Sequence, residues 1–311
     1  MNENIFLIKY DNHFKNDWDN HIRNSKNPHF FFLRDFIEYH KDRFNEHSLI
    51  IKRGKKVAAI IPGNIDGDIF YSYQGLTFGG LIVNDKIRVA NTDIIVEKVI
   101  DYLKELGVSK LIYKKMPFIY NEIPYEEDVY HIVNKGAKIS YAEIGQVIDY
   151  SNFKISSTRD NEINRGHKAG IQITEKQDYE RFWEVLVTNL SKHGAAPTHT
   201  LKEIQYLADK FPENIKLFCA EKEGKILCGT VLFVNKQVVH TQYIGSSEEA
   251  HQHNALEYLL GQMVDKFNNK KHFSFGISTE DKGKTLNNGL AFFKEAFGAR
   301  GIVNLTFELS I

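Results

Sequence analysis

The chain has 311 residues, 42% hydrophobic and 13% aromatic, enough for the cores of about two domains at roughly 100–200 residues each. Its 40 basic and 40 acidic residues cancel to a formal net charge of zero, so bulk electrostatics does not drive non-specific nucleic-acid binding and only a local basic patch is left open. No apolar run reaches the ~18 residues of a membrane span, and the first residues lack the pattern of a secretory signal, so a cytoplasmic location without a transmembrane segment is expected.

In the first half, Trp18, Ile22, Phe36 and Ile37 recur at helical spacing. Residues 48–52 and 57–62 read as a hairpin around Gly54, and 69–74 as the next strand. An amphipathic helix follows, marked by Ile94, Ile95, Val99, Ile100 and Leu103 and ending near Gly107. A strand at 110–114 and a short helix at 126–133 complete this half. The polar stretch 151–160 is the expected seam, which divides the chain into domains 1–150 and 151–311.

The second half starts with a helix near 159–168 and a strand at 170–173. Helices at 179–190 and 201–210 lead to a hairpin of 215–220 and 226–234. A central strand at 238–244 precedes a helix with one apolar face, carrying Leu256, Leu259, Leu260, Met263 and Val264. A strand at 272–277, a helix at 286–297 closed by Gly298, and a strand at 303–309 end the chain. Strands interleaved with helices in this order give an α/β fold with a mixed sheet covered on both faces.

The two halves repeat. Lys52-Arg53-Gly54-Lys55-Lys56-Val57 matches Lys222-Glu223-Gly224-Lys225-Ile226-Leu227 at an offset of 170 residues, and 68–75 then falls on 238–245 without a gap. A repeat of this period is a duplicated domain and not a solenoid.

Candidate chemistry gathers in the second copy. Strict alternation puts His240, Gln242 and Ile244 on one face of the central strand, with Thr241 and Tyr243 on the other. His240 is a candidate general base, or a structural histidine bonded to a neighbouring strand. Ser278, Thr279 and Glu280 end the next strand, where polar groups of open α/β sheets line ligand crevices. Glu280 is positioned to take a proton from an attacking amine, or is a solvated loop carboxylate. Asn287 either orients a substrate hydroxyl or starts its helix. Lys294 is a candidate for phosphate or oxyanion binding, against a solvated helix face. His193, Thr198 and His199 surround a Gly/Pro turn that would gate an acceptor, while Thr200 and Glu203 have capping-box spacing. Arg165 lies on a basic helix suited to a nucleotide or phospho-sugar, or simply to water. Cys219 and Cys228 read as buried apolar side chains in a reducing compartment. No spacing supports a metal site, a P-loop, a Rossmann fingerprint or a Ser/His/Asp motif.

Taken together, several segments resemble the FemAB-like branch of the GNAT superfamily. They are Asn161 to Ile171, Pro197-Thr198-His199-Thr200, His240-Thr241-Gln242-Tyr243, Phe275 to Glu280 and Phe293-Lys294-Glu295-Ala296-Phe297-Gly298-Ala299. In the first half, Ser72 to Gly80 and Tyr113-Lys114-Lys115-Met116-Pro117 are similar too. The resemblance implies two tandem GNAT-like domains and transfer of an acyl group to the amine of a sugar or cell-envelope precursor, nucleotide- or lipid-linked. Acyl-CoA is the implied co-substrate. It would be held by Gly245, Ser246, Ser247, His253, Asn254 and Ala255, where a helix start offers unpaired N–H groups to a pyrophosphate.

The loop departs from the family pattern Gln/Arg-x-x-Gly-x-Gly/Ala. Glu248 and Glu249 stand in it and would repel a pyrophosphate. The resemblance also leaves open aminoacyl-tRNA-dependent transfer to a peptidoglycan precursor, the one reading in which nucleic acid is a partner. The second half lacks the long charged helical hairpin of some tRNA-using members, which favours a small donor. The acidic pair Glu248 and Glu249 motivates the remaining alternative, a non-catalytic GNAT-like scaffold that binds a sugar or partner. No metal is implied.

Overall fold

In the computed structural model, which describes residues 5–192 and 194–311, the apolar runs of each half close around their own core. Two compact units result: Met1–Glu143 with Val303–Ile311, and Ile144–Ile302. The sequence reading divides the chain at 150/151 and leaves the last strand with the second half.

The first unit runs β1 (Ile5–Lys9), α1 (Lys15–Arg23), α2 (Arg34–Ile37), β2 (Leu49–Arg53), β3 (Lys56–Ile61), β4 (Asn64–Asp66), β5 (Ile69–Tyr71), β6 (Ile82–Val83), α3 (Val89–Glu105), β7 (Lys110–Lys114), α4 (Glu127–Asn134) and the start of β8 (Lys138–Asp149). One antiparallel sheet has the order β1-β2-β3-β6. A second set pairs β4 with β5 antiparallel and β5 with β7 parallel. Leu49, Ile51, Ala59 and Ile61 of the sheet bury against Ile95, Val99 and Leu103 of α3. Arg34 is fully buried, stacked 3.7 Å from the Tyr10 ring and paired with Glu38 and Glu46. An unpaired guanidinium would be far costlier in that position.

The second unit continues with α5 (Ser157–Lys168), β9 (Gln172–Lys176), α6 (Tyr179–Ser191), α7 (Leu201–Lys210), β10 (Ile215–Lys222), β11 (Lys225–Val234) and β12 (Val238–Ser246). It then runs α8 (Glu248–Gln252), α9 (Ala255–Lys266), β13 (His272–Ile277), β14 (Thr279–Glu280), β15 (Thr285–Leu286) and α10 (Asn288–Glu295). The last strand, β16 (Arg300–Ser310), leaves this unit and pairs with β7 of the first from Thr306 to Ser310. Here the sheet order is β8-β13-β12-β11-β10-β9, antiparallel apart from β12 with β13. Residues 138–149, unassigned from sequence, form β8, and the expected 245–254 loop contains α8. Cys219 and Cys228 are both buried and free.

Helices α5 and α9 cross closely because each presents a glycine to the other. A Cβ on Gly166 would lie 2.6 Å from Asn254 O, and one on Gly261 2.6 Å from Ile163 Cδ1. Arg159 locks the same corner. It pairs with Glu162 and Glu257 and lies over the rings of Phe293 and Phe297 at 4.5 and 4.6 Å. Among the described residues no helix is long and apolar enough to cross a membrane.

Backbone cannot retreat as a flexible side chain can, so Gly166→Ala is expected to cost about 1–3 kcal/mol by overpacking. Thermal unfolding followed by circular dichroism checks this; an unchanged midpoint would mean that the helices separate without penalty.

Candidate active site

Strands β12 and β13 pair over three residues and then part. Val238 faces His272, Val239 faces Phe273 and His240 faces Ser274. Beyond that point β12 runs on to Ser246 and β13 to Ile277 with no further pairing between them. The cause lies partly in Gly276, whose φ of +72° is a left-handed conformation that glycine adopts without steric cost. The pairing of β13 with β8 shifts register between Ser274 and Ile277, around this residue. A Cβ at Gly276 would also come within 3.1 Å of His240 Cε1.

On the other bank, β12 carries a bulge. Val231 of β11 faces Tyr243, but the next residue, Leu232, faces Thr241, so Gln242 is the extra residue. This corrects the strict alternation expected for the strand. Ile244 packs into the α9-side core with Val239, while Tyr243 turns to α6 and meets Trp183 edge-on at 5.2 Å. One inserted residue exchanges the faces of everything after it.

Two nitrogenous side chains meet where the strands part. His240 Nδ1 lies 3.1 Å from Ser274 Oγ. Lys294, on α10, is buried rather than solvated, and its Nζ donates to the carbonyls of Gly276 at 3.1 Å and Ile277 at 2.5 Å. Burial brings the Lys294 ammonium down to about 7. Burial, aided by the Lys294 charge, brings His240 down to about 4, so its ring is neutral at physiological pH. Ser278 is buried behind them. Its Oγ donates to Gln146 Oε1 of β8 at 2.5 Å and its N–H to Ile144 O at 2.8 Å. These bonds fix the strand end whose carbonyls hold Lys294.

A second group of expected residues gathers around Tyr243. Its hydroxyl receives the His199 N–H at 3.0 Å and lies 2.6 Å from His199 Nδ1. Thr198 and Gln242 also hydrogen-bond to it. His199 is buried and Thr198 exposed. Thr200 and Glu203 form the capping box of α7. His193 lies outside the described residues. Glu280 is exposed and accepts a bond from Asn287 Nδ2 at 2.9 Å, while Asn287 Oδ1 caps α10 at Leu290 N. Thr279 pairs with Leu286 in the same hairpin. Arg165 is exposed on α5 and joins neither group.

The expected donor-binding residues are placed as follows. Gly245 is buried against Leu186, whose Cα would be 3.0 Å from an added Cβ. Ser246 is buried, and Ser247 caps α8 through Ala250 N. His253 ends α8, Asn254 adopts a left-handed φ of 51° before α9, and Ala255 is fully buried. Glu248 and Glu249 form the first turn of α8 and pair with Lys192 at 2.7 Å and with Lys225. A groove of about 780 Å³ runs beside them, lined by Thr188, Lys192, Lys225, Ser246 and Ser247. Among the described residues no three His, Cys, Asp or Glu side chains converge on a metal-sized point.

The first unit keeps the frame and loses the polar set. Phe70, fully buried, stands in place of His240. Lys114 Nζ donates to the carbonyls of Gln74 and Leu76 at 3.0 and 2.8 Å, so the loop after β5 folds back onto it. Ser274, Gly276, Gln146 and Trp183 went unmarked as site residues in the sequence. Gln146 had a usable signal, the β-branched run Ile144, Val147 and Ile148 around it.

Residues 157–282, from α5 to the β14 hairpin, match the family model of an acetyltransferase (GNAT) domain. No curated protein matches the sequence significantly. Among solved structures, FemX superposes with a TM-score of 0.69 at 11% identity, over 98% of this chain and 97% of that one. The C-terminal domain of a putative lysylphosphatidylglycerol synthetase from Agrobacterium fabrum gives 0.64 at 12% identity, over 95% and 91%. A tandem GNAT protein from the clavulanic acid biosynthesis pathway gives 0.51 at 10%, over 99% and 98%. At such identities these likenesses establish the fold, two GNAT-like units in tandem.

The depressed His240 has a consequence for acid stability. Below its ordinary 6.5 the unfolded chain takes up a proton that the folded site refuses until about 4. Stability is therefore lost as pH falls through that window. His240→Gln should flatten this part of the curve of melting temperature against pH; parallel curves for the two proteins would show that the ring titrates normally.

Proposed function

We propose that this chain, whose second unit is a GNAT acyltransferase domain, moves an acyl group from acyl-CoA to the amine of a sugar or cell-envelope precursor in the cleft between β12 and β13. The observation that carries the reading is Lys294, a buried ammonium held by two carbonyls beside a neutral histidine where two parallel strands separate. Parted strands leave backbone N–H and C=O groups facing the gap. An extended donor arm bearing amides, such as pantetheine, pairs with such edges as an added strand would.

The chemistry follows from the protonation states. The amine attacks the acyl carbonyl and the carbonyl oxygen takes the negative charge; as the carbonyl re-forms the C–S bond breaks, and the thiolate that leaves is protonated by the imidazolium formed when the attacking nitrogen sheds its proton. His240 accepts that proton, since its ring is neutral and Ser274 engages Nδ1, leaving Nε2 for the substrate. Two Lys294 N–H groups are spent on Gly276 and Ile277, and the third is available to the oxyanion. The Tyr243–His199 pair holds the turn before α7 against β12, as an acceptor site on this bank requires. Glu280, exposed in its hairpin, serves better as a contact for the acceptor than as the base. A lipid-linked acceptor agrees with the likeness to the C-terminal domain of a putative lysylphosphatidylglycerol synthetase.

A second reading rests on Glu248 and Glu249. They place two carboxylates in the first turn of α8, where the CoA pyrophosphate would approach. An aminoacyl ester on tRNA carries no pyrophosphate at that point. Titration calorimetry with acetyl-CoA and with a panel of aminoacyl-tRNAs separates the readings, and binding of neither would favour a non-catalytic scaffold.

For the catalytic assignment, Lys294→Met and His240→Ala should each lower kcat by about 10²-fold or more with the fold intact. The rate of wild-type protein should fall above pH about 7 as Lys294 loses its proton, and Lys294→Met should lack that alkaline limb. Near-normal turnover in both variants would sink the site.

A further inference from the structure

The first unit has a groove of about 430 Å³ that the cleft chemistry does not use. Its walls carry Arg53, Lys55, Lys56 and Lys86, and its floor is Val57, Ala58 and Ile87. Two turns build it, the β2–β3 turn and the 84–88 turn ahead of α3. Asn84 fastens one to the other: its N–H donates to Ala58 O at 3.2 Å and its Nδ2 to Val57 O at 3.1 Å. Lys86 N–H in turn donates to Asn84 Oδ1 at 3.0 Å. No carboxylate lines the groove. Asp85 is exposed next to it, and Arg88 donates to its main-chain oxygen.

The duplication supplies an internal comparison. In the second copy Lys225 of the same turn is neutralised, as are two cations on neighbouring elements. Lys225 pairs with Glu249, Lys176 and Arg181 with Glu221, and Arg181 also donates to Gly224 O. In the first copy, among the described residues, Lys55, Lys56 and Lys86 make no ion pair. The chain is neutral overall, so this is a local accumulation and not a share of a general excess.

We propose that this groove binds a linear chain of phosphates. Three unpaired lysines on two walls exceed what one phosphate can engage. The lysines are exposed, whereas recognition of a small metabolite relies on desolvated, pre-set donors. Exposed, mobile cations instead suit a polyanion, for which release of condensed counterions supplies the driving force. A recessed, two-walled groove admits a strand more readily than the plane of a membrane surface. Such a site works whichever donor the cleft takes.

The test is fluorescence anisotropy with two labelled probes, a short mixed-sequence single-stranded RNA and inorganic polyphosphate, against full-length protein and its K55E/K56E/K86E variant. All three side chains are exposed, and an unchanged melting curve shows that the variant is folded. Wild-type protein should bind at least one probe with steep salt dependence. The variant should bind about tenfold more weakly or worse, and the salt slope should drop by about two for three lost contacts. Loss of RNA binding alone identifies a nucleic-acid backbone, and loss of both identifies any phosphate chain. Equal binding by wild type and variant, or no binding of either probe, would overturn the proposal.

Discussion

The second unit turns on the separation of two parallel strands after their third residue pair, His240 and Ser274. A parallel ladder that continued would bury its own hydrogen-bonding groups and leave no cleft. Two local devices end it. Gly276 takes a left-handed conformation around which β13 changes register, and Gln242 bulges β12. The carbonyls freed on one bank are the ones that Lys294 satisfies. Burying that cation is tolerable because two acceptors meet it, and the same burial brings its proton affinity into the neutral range.

Duplication makes the arrangement easier to interpret, since the first unit shows what the frame does without the chemistry. Its parallel pair, β5 and β7, is followed by a loop whose carbonyls are held by Lys114, and Phe70 fills the histidine's place. A lysine bound to main-chain oxygens occurs in both units, yet on a strand in one and a helix in the other. The same physical need, an ammonium neutralising stranded carbonyls, is thus met by different residues. Close approaches at Gly75 and Gly245 recur as well, the first crowded by His40 and Phe44 and the second by Leu186 and Phe182.

Much of the frame was legible along the chain. The hairpins around Gly54 and Gly224, the amphipathic α3 and α9, and the central β12 all carry strong periodicity or turn chemistry, which act over a few residues. Within the candidate site, His240, Tyr243, His199 and Ser278 were legible as polar residues on the central strand, at a strand end and in a turn. Their partners were not. Ser274 reads as an ordinary strand residue, Gln146 lies in an unassigned segment, and the Gln242 bulge has no sequence signature because it exists only as a mismatch between two strands. Lys294 looks like a solvated helix position, since Phe292 and Glu295 beside it are exposed.

The sequence by itself determined the duplicated α/β frame, the position of the polar set in the second copy and the resemblance to GNAT acyltransferases. These depend on local periodicity and on residue types at fixed offsets. Only the tertiary structure decided which side chains meet and in which protonation state. It also decided that the final strand pairs with the first unit. Burial, bulges and long-range pairing involve residues far apart along the chain, and the free energy of an ammonium or an imidazole is set by what surrounds it in space.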